Sequence, residues 1–315
     1  MIIAFHVYHF TFRGTENAVY DYANYNEIIL GNKSIIISPR KYNKENNVNV
    51  VLKFFTRFKN FLYSTIEELE KICTRENVNV FYVLKYGTND GIVTNLSKIK
   101  SIIHCVYRVD EPHGTKYIGV SESISPDHLS HIIELPEYSG DLRKELNIPK
   151  NSIVFGRHGG KDTFNLGNLS DVIINILKER EDIYFIFMPR PIILENINHP
   201  RIRYLYVSID PIIKRKFIDT CDCMIHSQVL GETQGISVLE FSYCNKPVLT
   251  WNGGNVKQHL KNLGEKAIVY NSLEELYTLL KNIKKEELKG KNWRTNILDE
   301  YTPKNIMKKF KELCE

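Results

Sequence analysis

Two glutamates in the second half of the chain carry the residue pattern with the clearest chemistry. Glu232 and Glu240 are separated by seven residues, and Gly235 lies between them, just before a run of helical periodicity. A helix that begins near Gly235 leaves the first amides, those of Gly235, Ile236 and Ser237, without partners inside the helix. These amides and the positive end of the helix dipole favour a bound anion such as a phosphate. The two carboxylates would flank that anion and accept hydrogen bonds from the hydroxyl groups of a sugar and a ribose. The alternative is that Glu232 is only an acidic residue at the helix N-terminus and Glu240 a surface residue of the helix.

The remaining sequence predicts the elements that would position this segment. Short runs rich in Ile, Val, Phe and Tyr alternate with stretches of helical period, which is typical of an α/β protein with parallel sheets. Strands are predicted at 1–8, 33–38, 78–84, 100–107, 116–121, 152–156, 183–188, 202–207, 223–227, 247–251 and 266–270. Helices are predicted at 16–31, 64–76, 168–180, 211–220, 235–244, 255–263 and 273–283, with a terminal helix after Pro303. Ser64 and Glu67 have the spacing of a capping box for the second helix.

A segment punctuated by Pro136 and Gly140 is suited to a linker between two domains. We therefore expect domains at 1–137 and 138–300, followed by a terminal helix at 301–315. Doubly wound sheets bind ligands beyond the carboxyl ends of their strands. The functional site is accordingly expected in a crevice between the two domains.

Composition excludes several classes of protein. With 315 residues, 43% apolar and 25% charged, the chain is neither disordered, collagen-like nor coiled coil. The net charge of +5 is spread along the chain, which argues against a nucleic-acid partner. The apolar runs fall short of the roughly 18 residues of a membrane span, and the N-terminus resembles a strand and not a secretory leader, so a cytoplasmic location is expected. Six cysteines without zinc spacing predict reduced thiols and no metal site.

The segment around the two glutamates resembles the E-x7-E region of GT-B glycosyltransferases, above all the retaining family 4 enzymes. The resemblance rests on a short strand that ends at His226 and Ser227, on the turn at Glu232, on the helix with Glu240, and on a Lys-Pro-Val sequence that opens the next strand at 246–248. It covers about 150–285 well and the first half only through scattered loops. It implies the GT-B architecture, with two Rossmann-like doubly wound domains that face a cleft, the second binding a nucleotide-sugar donor and the first an acceptor.

The resemblance also assigns roles within this segment. It places Glu232 at the transferred sugar and Glu240 at the ribose. The amides of Gly235 and Ile236 would lie near the diphosphate.

A second loop, at 156–161, follows a predicted strand and contains Arg157 between glycines and Lys161 directly after them. It does not match the phosphate-binding pattern G-x-x-x-x-G-K-[ST]. It resembles the Gly-Arg loop that opens the donor domain of the same family, whose Arg and Lys hold the diphosphate. Fixed positive charge is what a departing nucleoside diphosphate requires, because negative charge grows on the leaving oxygen. Arg157 is therefore the first catalytic candidate, with a structural role as the alternative.

Two candidates in the first half rest on the resemblance alone. Gly14 occupies the loop after the first strand, where GT-B enzymes bring backbone amides close to the donor phosphates. His104 ends a strand at the position of the family histidine that contacts the donor sugar. The alternatives to a binding role are a helix N-terminus for Gly14 and a core position for His104.

Together these features predict a glycosyltransferase that moves a hexose from a UDP- or GDP-sugar to a hydroxyl acceptor, which is a glycan, a lipid or a protein-linked group. The resemblance implies that the reaction retains anomeric configuration, and no bound metal or permanent cofactor is expected. A nucleotide-sugar epimerase or hydrolase of the same fold and an inactive sugar-nucleotide-binding protein are the alternatives. The donor nucleotide, the acceptor and a homodimeric state remain open.

Overall fold

The structure is a computed structural model that describes the backbone of residues 1–315 and all side chains except those of Tyr42, Asn43 and Glu45. The chain forms two compact units. The first comprises Met1–Ile132 and Asp299–Glu315, and the second comprises Ile133–Leu298.

The first unit contains a parallel six-stranded sheet. Its strands are β1 (Ile2–His6), β2 (Lys33–Pro39), β3 (Lys59–Tyr63), β4 (Val80–Lys85), β5 (Lys100–Cys105) and β6 (Lys116–Gly119). Its helices are α1 (Gly14–Ile28), α2 (Val48–Arg57) and α3 (Ile66–Arg75). The strand order β3-β2-β1-β4-β5-β6 is that of a dinucleotide-binding sheet.

The second unit repeats this arrangement. Its strands are β7 (Ile153–His158), β8 (Ile183–Met188), β9 (Ile202–Tyr204), β10 (Cys223–His226), β11 (Gly231–Glu232), β12 (Val248–Trp251), β13 (Val256–Lys257) and β14 (Ala267–Tyr270). Its helices are α4 (Leu169–Glu179), α5 (Pro211–Thr220), α6 (Ile236–Tyr243), α7 (Gln258–Leu263), α8 (Leu273–Asn282) and α9 (Lys285–Leu288). The parallel sheet has the order β14-β12-β10-β7-β8-β9, and β11 pairs separately with β13.

In both sheets the strand order reverses next to the first strand of the unit. The reversal lies between β1 and β4 in the first unit and between β7 and β10 in the second. Loops leave such a pair of strands in opposite directions, so the carboxyl ends flank a hollow where doubly wound sheets bind ligands. The residues at the ends of these four strands are therefore the first places to look for chemistry.

The last helix, α10 (Pro303–Cys314), belongs to the first unit. The helix is amphipathic, and Phe310 lies on its buried face. The Phe310 ring stacks on Tyr22 at 5.4 Å and on Phe5 at 6.0 Å between ring centroids. These contacts anchor the C-terminal segment on the sheet of the first unit.

Five elements were not predicted, namely α2, β3, β11, β13 and α9, and one cap differs from the prediction. Helix α2 and strand β3 were not predicted, because a single residue, Phe58, separates them and the apolar pattern runs on without a turn signal. The N-cap of α3 is Thr65, whose hydroxyl accepts a bond from the Glu68 amide at 3.2 Å, so the predicted cap at Ser64 is wrong by one residue.

Within the described residues, no helix combines the length and the apolar character that crossing a membrane requires. All six cysteines are free thiols in the structure. Five of them are buried, so they pack as small apolar side chains.

Candidate functional site

Arg157 and His158 end strand β7, at the reversal point of the second sheet. Arg157 is 3% exposed and donates hydrogen bonds to the Gly160 carbonyl at 2.8 Å and to the Thr163 hydroxyl. Its Nη1 has no hydrogen-bond partner among the described residues. Burial lowers the pKa of Arg157 to about 10 against the opposing charges of Glu232 and Asp162, so the guanidinium stays protonated at neutral pH. A buried cation with an unused donor is thus held next to Glu232.

His226 ends β10, the strand adjacent to β7, and fixes Glu232. Its Nδ1 lies 2.8 Å from the Thr250 hydroxyl, and its Nε2 lies 3.2 Å from Glu232 Oε1. The backbone at Glu232 is held in turn by the pairing of β11 with β13. A side chain from the sheet and a short strand pair together orient this carboxylate.

The charge of Glu232 is stabilised by its neighbours. Burial alone would raise its pKa, but the hydrogen bond from His226 and the charges of His226, His259 and Arg157 lower it below its usual value. The His259 ring lies 4.9 Å from the His226 ring. Glu232 is therefore a carboxylate at neutral pH and a hydrogen-bond acceptor.

Glu240 is a buried carboxylate on α6 that joins two other elements. Lys214 of α5 places Nζ 2.6 Å from Oε1, and His158 places Nε2 3.1 Å from Oε2. Burial would raise the pKa of Glu240, yet Lys214 and His158 lower it to about 2. Oε2 has no hydrogen-bond partner among the described residues, so it can accept hydrogen bonds from hydroxyl groups.

Helix α6 begins beside this carboxylate pair. Its N-cap is Gly235, which has a φ of +81°, a conformation that side-chain-bearing residues rarely adopt. A Cβ at this position would lie 2.9 Å from the Cβ of His259, so both conformation and space require glycine. Ile236 and Ser237 follow in the first turn, where amides lack intrahelical acceptors. The helix start that the sequence predicts near Gly235 is therefore present in this unit, and its binding of an anion stays a prediction.

The other predicted site residues lie in different surroundings. Lys161 is exposed in the loop after β7, four residues beyond Arg157. Gly14 is the first residue of α1 in the first unit. His104 is fully buried in the core of that unit, where its Nδ1 lies 2.7 Å from the Tyr82 hydroxyl and burial lowers its pKa well below the usual value. The burial of His104 favours the core role. The structure does bring Arg157, Glu232, Gly235 and Glu240 together in the second unit.

Sequence reasoning missed three residues that hold the glutamates. His226 and His158 had a usable signal, because each is the last residue of a parallel strand beside the reversal point. Lys214 had none, since it is 26 residues from Glu240 and meets it only after α5 and α6 pack in the folded unit.

Comparisons with known proteins rest on the fold. No protein-family model matches the sequence, and no curated protein has a significantly similar sequence. A glycosyltransferase from Rickettsia africae is similar in structure, with 14% identity, a TM-score of 0.69, and coverage of 99% of this chain and 97% of that one. HepE from Anabaena, solved with UDP and glucose, gives 14% identity, a TM-score of 0.72, and coverage of 99% and 98%.

A third similar structure is described as a UDP-N-acetylglucosamine 2-epimerase from Listeria monocytogenes. It gives 12% identity, a TM-score of 0.61, and coverage of 100% of this chain and 97% of that chain. Together the matches and the two sheet topologies confirm the predicted fold class, α/β with two Rossmann-like units of the GT-B type. At these identities the similarity concerns the fold.

Proposed function

We propose that this protein is a glycosyltransferase that transfers a hexose from a nucleotide-diphosphate sugar to a hydroxyl acceptor. The observation that carries the proposal is the convergence of Arg157, Glu232 and the start of α6 at the reversal point of the second sheet. The full-length similarity to glycosyltransferase structures supports it. The resemblance of residues 231–240 to retaining family 4 enzymes supports it independently.

In this proposal Arg157 and the α6 amides receive the diphosphate. Cleavage breaks the bond between the anomeric carbon and the phosphate oxygen, and negative charge develops on that oxygen. A buried guanidinium stabilises this charge more strongly than an exposed one, because the surroundings screen it less. Arg157 Nη1 has the unused donor for that contact, and Lys161 adds a second, exposed cation.

The two glutamates would hold the uncharged parts of the donor. Glu232 accepts hydrogen bonds from the hydroxyl groups of the transferred hexose, and His226 keeps its carboxylate oriented. Glu240 accepts a ribose hydroxyl through its remaining lone pairs while Lys214 and His158 hold the carboxylate. A UDP donor is the first to test, because HepE was solved with UDP and glucose.

The proposed step forms a bond between the acceptor oxygen and the anomeric carbon as the phosphate leaves. The acceptor proton passes to the leaving phosphate oxygen, which balances the reaction without a protein nucleophile. The resemblance to retaining enzymes favours attack from the face that the phosphate leaves, so the configuration is kept. The residues of this chain supply positioning and charge stabilisation.

A panel of UDP- and GDP-sugars tests the proposal. Purified protein is incubated with each donor, with and without a mixture of glycan acceptors, and released nucleoside diphosphate is measured. We expect one donor to be consumed, with faster release when an acceptor is present. No consumption of any donor, with no nucleotide binding by calorimetry, would contradict the proposal.

A nucleotide-sugar epimerase is the second candidate, because an epimerase of this description shares the fold over the full chain. It would isomerise or hydrolyse the donor without an acceptor. Proton NMR of the same reaction mixtures separates the two outcomes. Product formation that is independent of every acceptor would favour the epimerase.

A further inference from the structure

A buried line of polar side chains from three strands ends at Glu232. Thr250 of β12 lies directly beside His226 of β10 in the register of the sheet. Thr250 is fully buried and His226 is 2% exposed. The Thr250 hydroxyl lies 2.8 Å from Nδ1 of His226, and Nε2 of His226 lies 3.2 Å from Oε1 of Glu232. We call Thr250, His226 and Glu232 the relay, and the proposed function gives Thr250 no part in it.

The charge of Glu232 fixes one end of the relay. Glu232 is a carboxylate at neutral pH, because the hydrogen bond from His226 and the nearby positive charges outweigh the effect of burial on its pKa. A carboxylate accepts hydrogen bonds and does not donate them. Nε2 of His226 therefore carries a proton and donates to Oε1.

The Thr250 hydroxyl fixes the other end. His226 is the only hydrogen-bond partner of this hydroxyl among the described residues. If Nδ1 also carried a proton, it would donate to Thr250, and the hydroxyl proton would be left in the core without an acceptor, which is costly. Both groups are satisfied when the hydroxyl donates to a bare Nδ1. The hydrogen bonds of the relay thus run in one direction, from Thr250 through His226 to Glu232.

A second histidine packs against the relay without joining it. The ring of His259 lies 4.9 Å from the His226 ring between centroids, and no hydrogen bond connects the two rings. His259 is 1% exposed, and burial lowers its pKa to about 4, so its ring is neutral at neutral pH. Both nitrogens of His226 therefore remain committed to Thr250 and Glu232.

The relay occupies one oxygen of Glu232 and leaves the other for a ligand. Oε1 receives the hydrogen bond from His226, and the Glu232 side chain is 26% exposed, unlike the sealed side chains of His226 and Thr250. Oε2 can accept a hydrogen bond and cannot donate one. It therefore favours a ligand group that carries a proton, such as a hydroxyl group.

We propose that Thr250 is a positioning residue of the donor site, and that the relay holds Oε2 of Glu232 so that it selects a hexose with a hydroxyl group at one position. This inference rests on the proposed function, in which Glu232 contacts the transferred hexose. Without the Thr250 hydroxyl, the buried Nδ1 loses its partner and the His226 ring loses its anchor. The carboxylate then has no fixed orientation toward the hexose.

The variants separate the hydroxyl from the shape of the side chain. Thr250→Val removes the hydroxyl and keeps the shape, whereas Thr250→Ser keeps the hydroxyl. Thr220→Val is the matched control, because Thr220 is also fully buried in the second unit and its hydroxyl donates to the Lys216 carbonyl at 2.7 Å. Thr250→Val is also made in a His226→Phe background, where the relay is already broken.

Steady-state kinetics with the accepted UDP-sugar and calorimetry with UDP are the first measurements. Thr250→Val should lower kcat/KM about fivefold to tenfold, as expected for the loss of one net hydrogen bond. Its affinity for UDP should be unchanged, because UDP has no hexose. Thr250→Ser should restore kcat/KM, and Thr220→Val should leave it unchanged. In the His226→Phe background, Thr250→Val should have no further effect, since Thr250 acts through His226.

Donor analogues test the selection of a hydroxyl group. Each hexose hydroxyl of the accepted UDP-sugar is replaced in turn by hydrogen. One analogue should lose kcat/KM at least about tenfold with the wild type, because Oε2 is then left without its partner. The same analogue should lose less with Thr250→Val, whose carboxylate is no longer held.

NMR of the wild-type chain with ¹⁵N-labelled histidine tests the direction of the relay without any change at Thr250. Long-range ¹H–¹⁵N spectra at neutral pH distinguish a protonated ring nitrogen from a bare one. The signals of His226 are those that disappear in His226→Phe. We expect a proton on Nε2 and a bare Nδ1.

Three results would overturn the inference: a proton on Nδ1 of His226, Thr250→Val kinetics equal to those of Thr220→Val, or an equal effect of Thr250→Val with and without His226. Each rejects the relay alone when UDP binds and a donor is consumed. Failure of the proposed function is a different result, in which the wild type neither binds UDP or GDP nor consumes any donor.

Discussion

Lys214 Nζ lies 2.6 Å from Glu240 Oε1 and joins α5 to α6. The other carboxylate oxygen of Glu240 lies 3.1 Å from Nε2 of His158, the residue that follows Arg157. The second glutamate of the motif is therefore linked to the same strand end that carries the candidate catalytic cation. This ion pair couples the ionisation of Glu240 to the stability of the second unit.

Glu240→Gln should lower the free energy of unfolding at neutral pH. The folded-state pKa of about 2, against an ordinary value of 4.5, corresponds to about 3 kcal/mol of stability linked to ionisation. Because the pKa of Glu240 is depressed in the folded state, this stability is present above pH 4.5 and is lost as the pH falls toward 2. Urea unfolding at neutral pH and at about pH 3 should thus show a gap between wild type and variant that narrows in acid.

Glu181→Gln is the matched control for this experiment, since Glu181 is exposed in the same unit. It should change the unfolding free energy by less than about 0.5 kcal/mol at either pH. A Glu240→Gln variant as stable as this control at neutral pH would mean that the ion pair contributes nothing.

Arg157→Ala should cut turnover of the accepted donor by roughly 100- to 1000-fold, the usual cost of removing one contact to transition-state charge. The effect should appear in kcat, because charge on the phosphate oxygen grows mainly in the transition state. Arg157→Lys should recover part of it, since a cation is restored without the guanidinium fork. Steady-state kinetics checks this, with Arg75→Ala as the control at an exposed arginine of the first unit. Equal kcat in all four proteins would exclude Arg157 from the reaction.

His226 should act through Glu232, so their substitutions should not be additive. The single variants His226→Ala and Glu232→Ala should each reduce kcat/KM. The double variant should be little worse than Glu232→Ala, because the 3.2 Å contact is already lost. A double-mutant cycle on kcat/KM measures this coupling, and fully additive losses would show that His226 has a separate role.

Gly235→Ala should destabilise the protein and weaken donor binding. The alanine would have to adopt a φ of +81°, and its Cβ would lie 2.9 Å from the Cβ of His259. Gly31→Ala is the matched control, with a φ of +66° and no atom within 4 Å of the added Cβ. The control should cost about 1 kcal/mol from the backbone alone, and Gly235→Ala should cost more. Thermal unfolding with and without UDP tests this, and equal losses would mean that the His259 contact relaxes freely.

The fold was predictable from sequence where each element carried its own local signal. The β7 run ends in a glycine-flanked basic loop, and α6 follows Gly235, so both the end of the strand and the helix start could be expected. Helix α2 and strand β3 were missed because one residue separates them and no turn residue marks the boundary. Periodicity resolves elements only where the pattern changes between them.

The candidate site divides in the same way. Arg157 and Glu232 could be chosen because they lie beside glycines, and Glu240 because seven residues separate it from Glu232. The contact of Lys214 with Glu240 depends on how α5 and α6 pack within the second unit, which no local spacing encodes. His104 shows the converse, since a histidine at a strand end can face the core as easily as a ligand.

Calorimetric titration of UDP into the wild-type chain and into Arg157→Ala tests the central claim most directly. The account predicts that UDP binds the wild type and that removal of the buried guanidinium weakens binding at least tenfold, while thermal unfolding shows both proteins folded. Equal UDP affinity in the two proteins, or no UDP or GDP binding to the wild type, would contradict it.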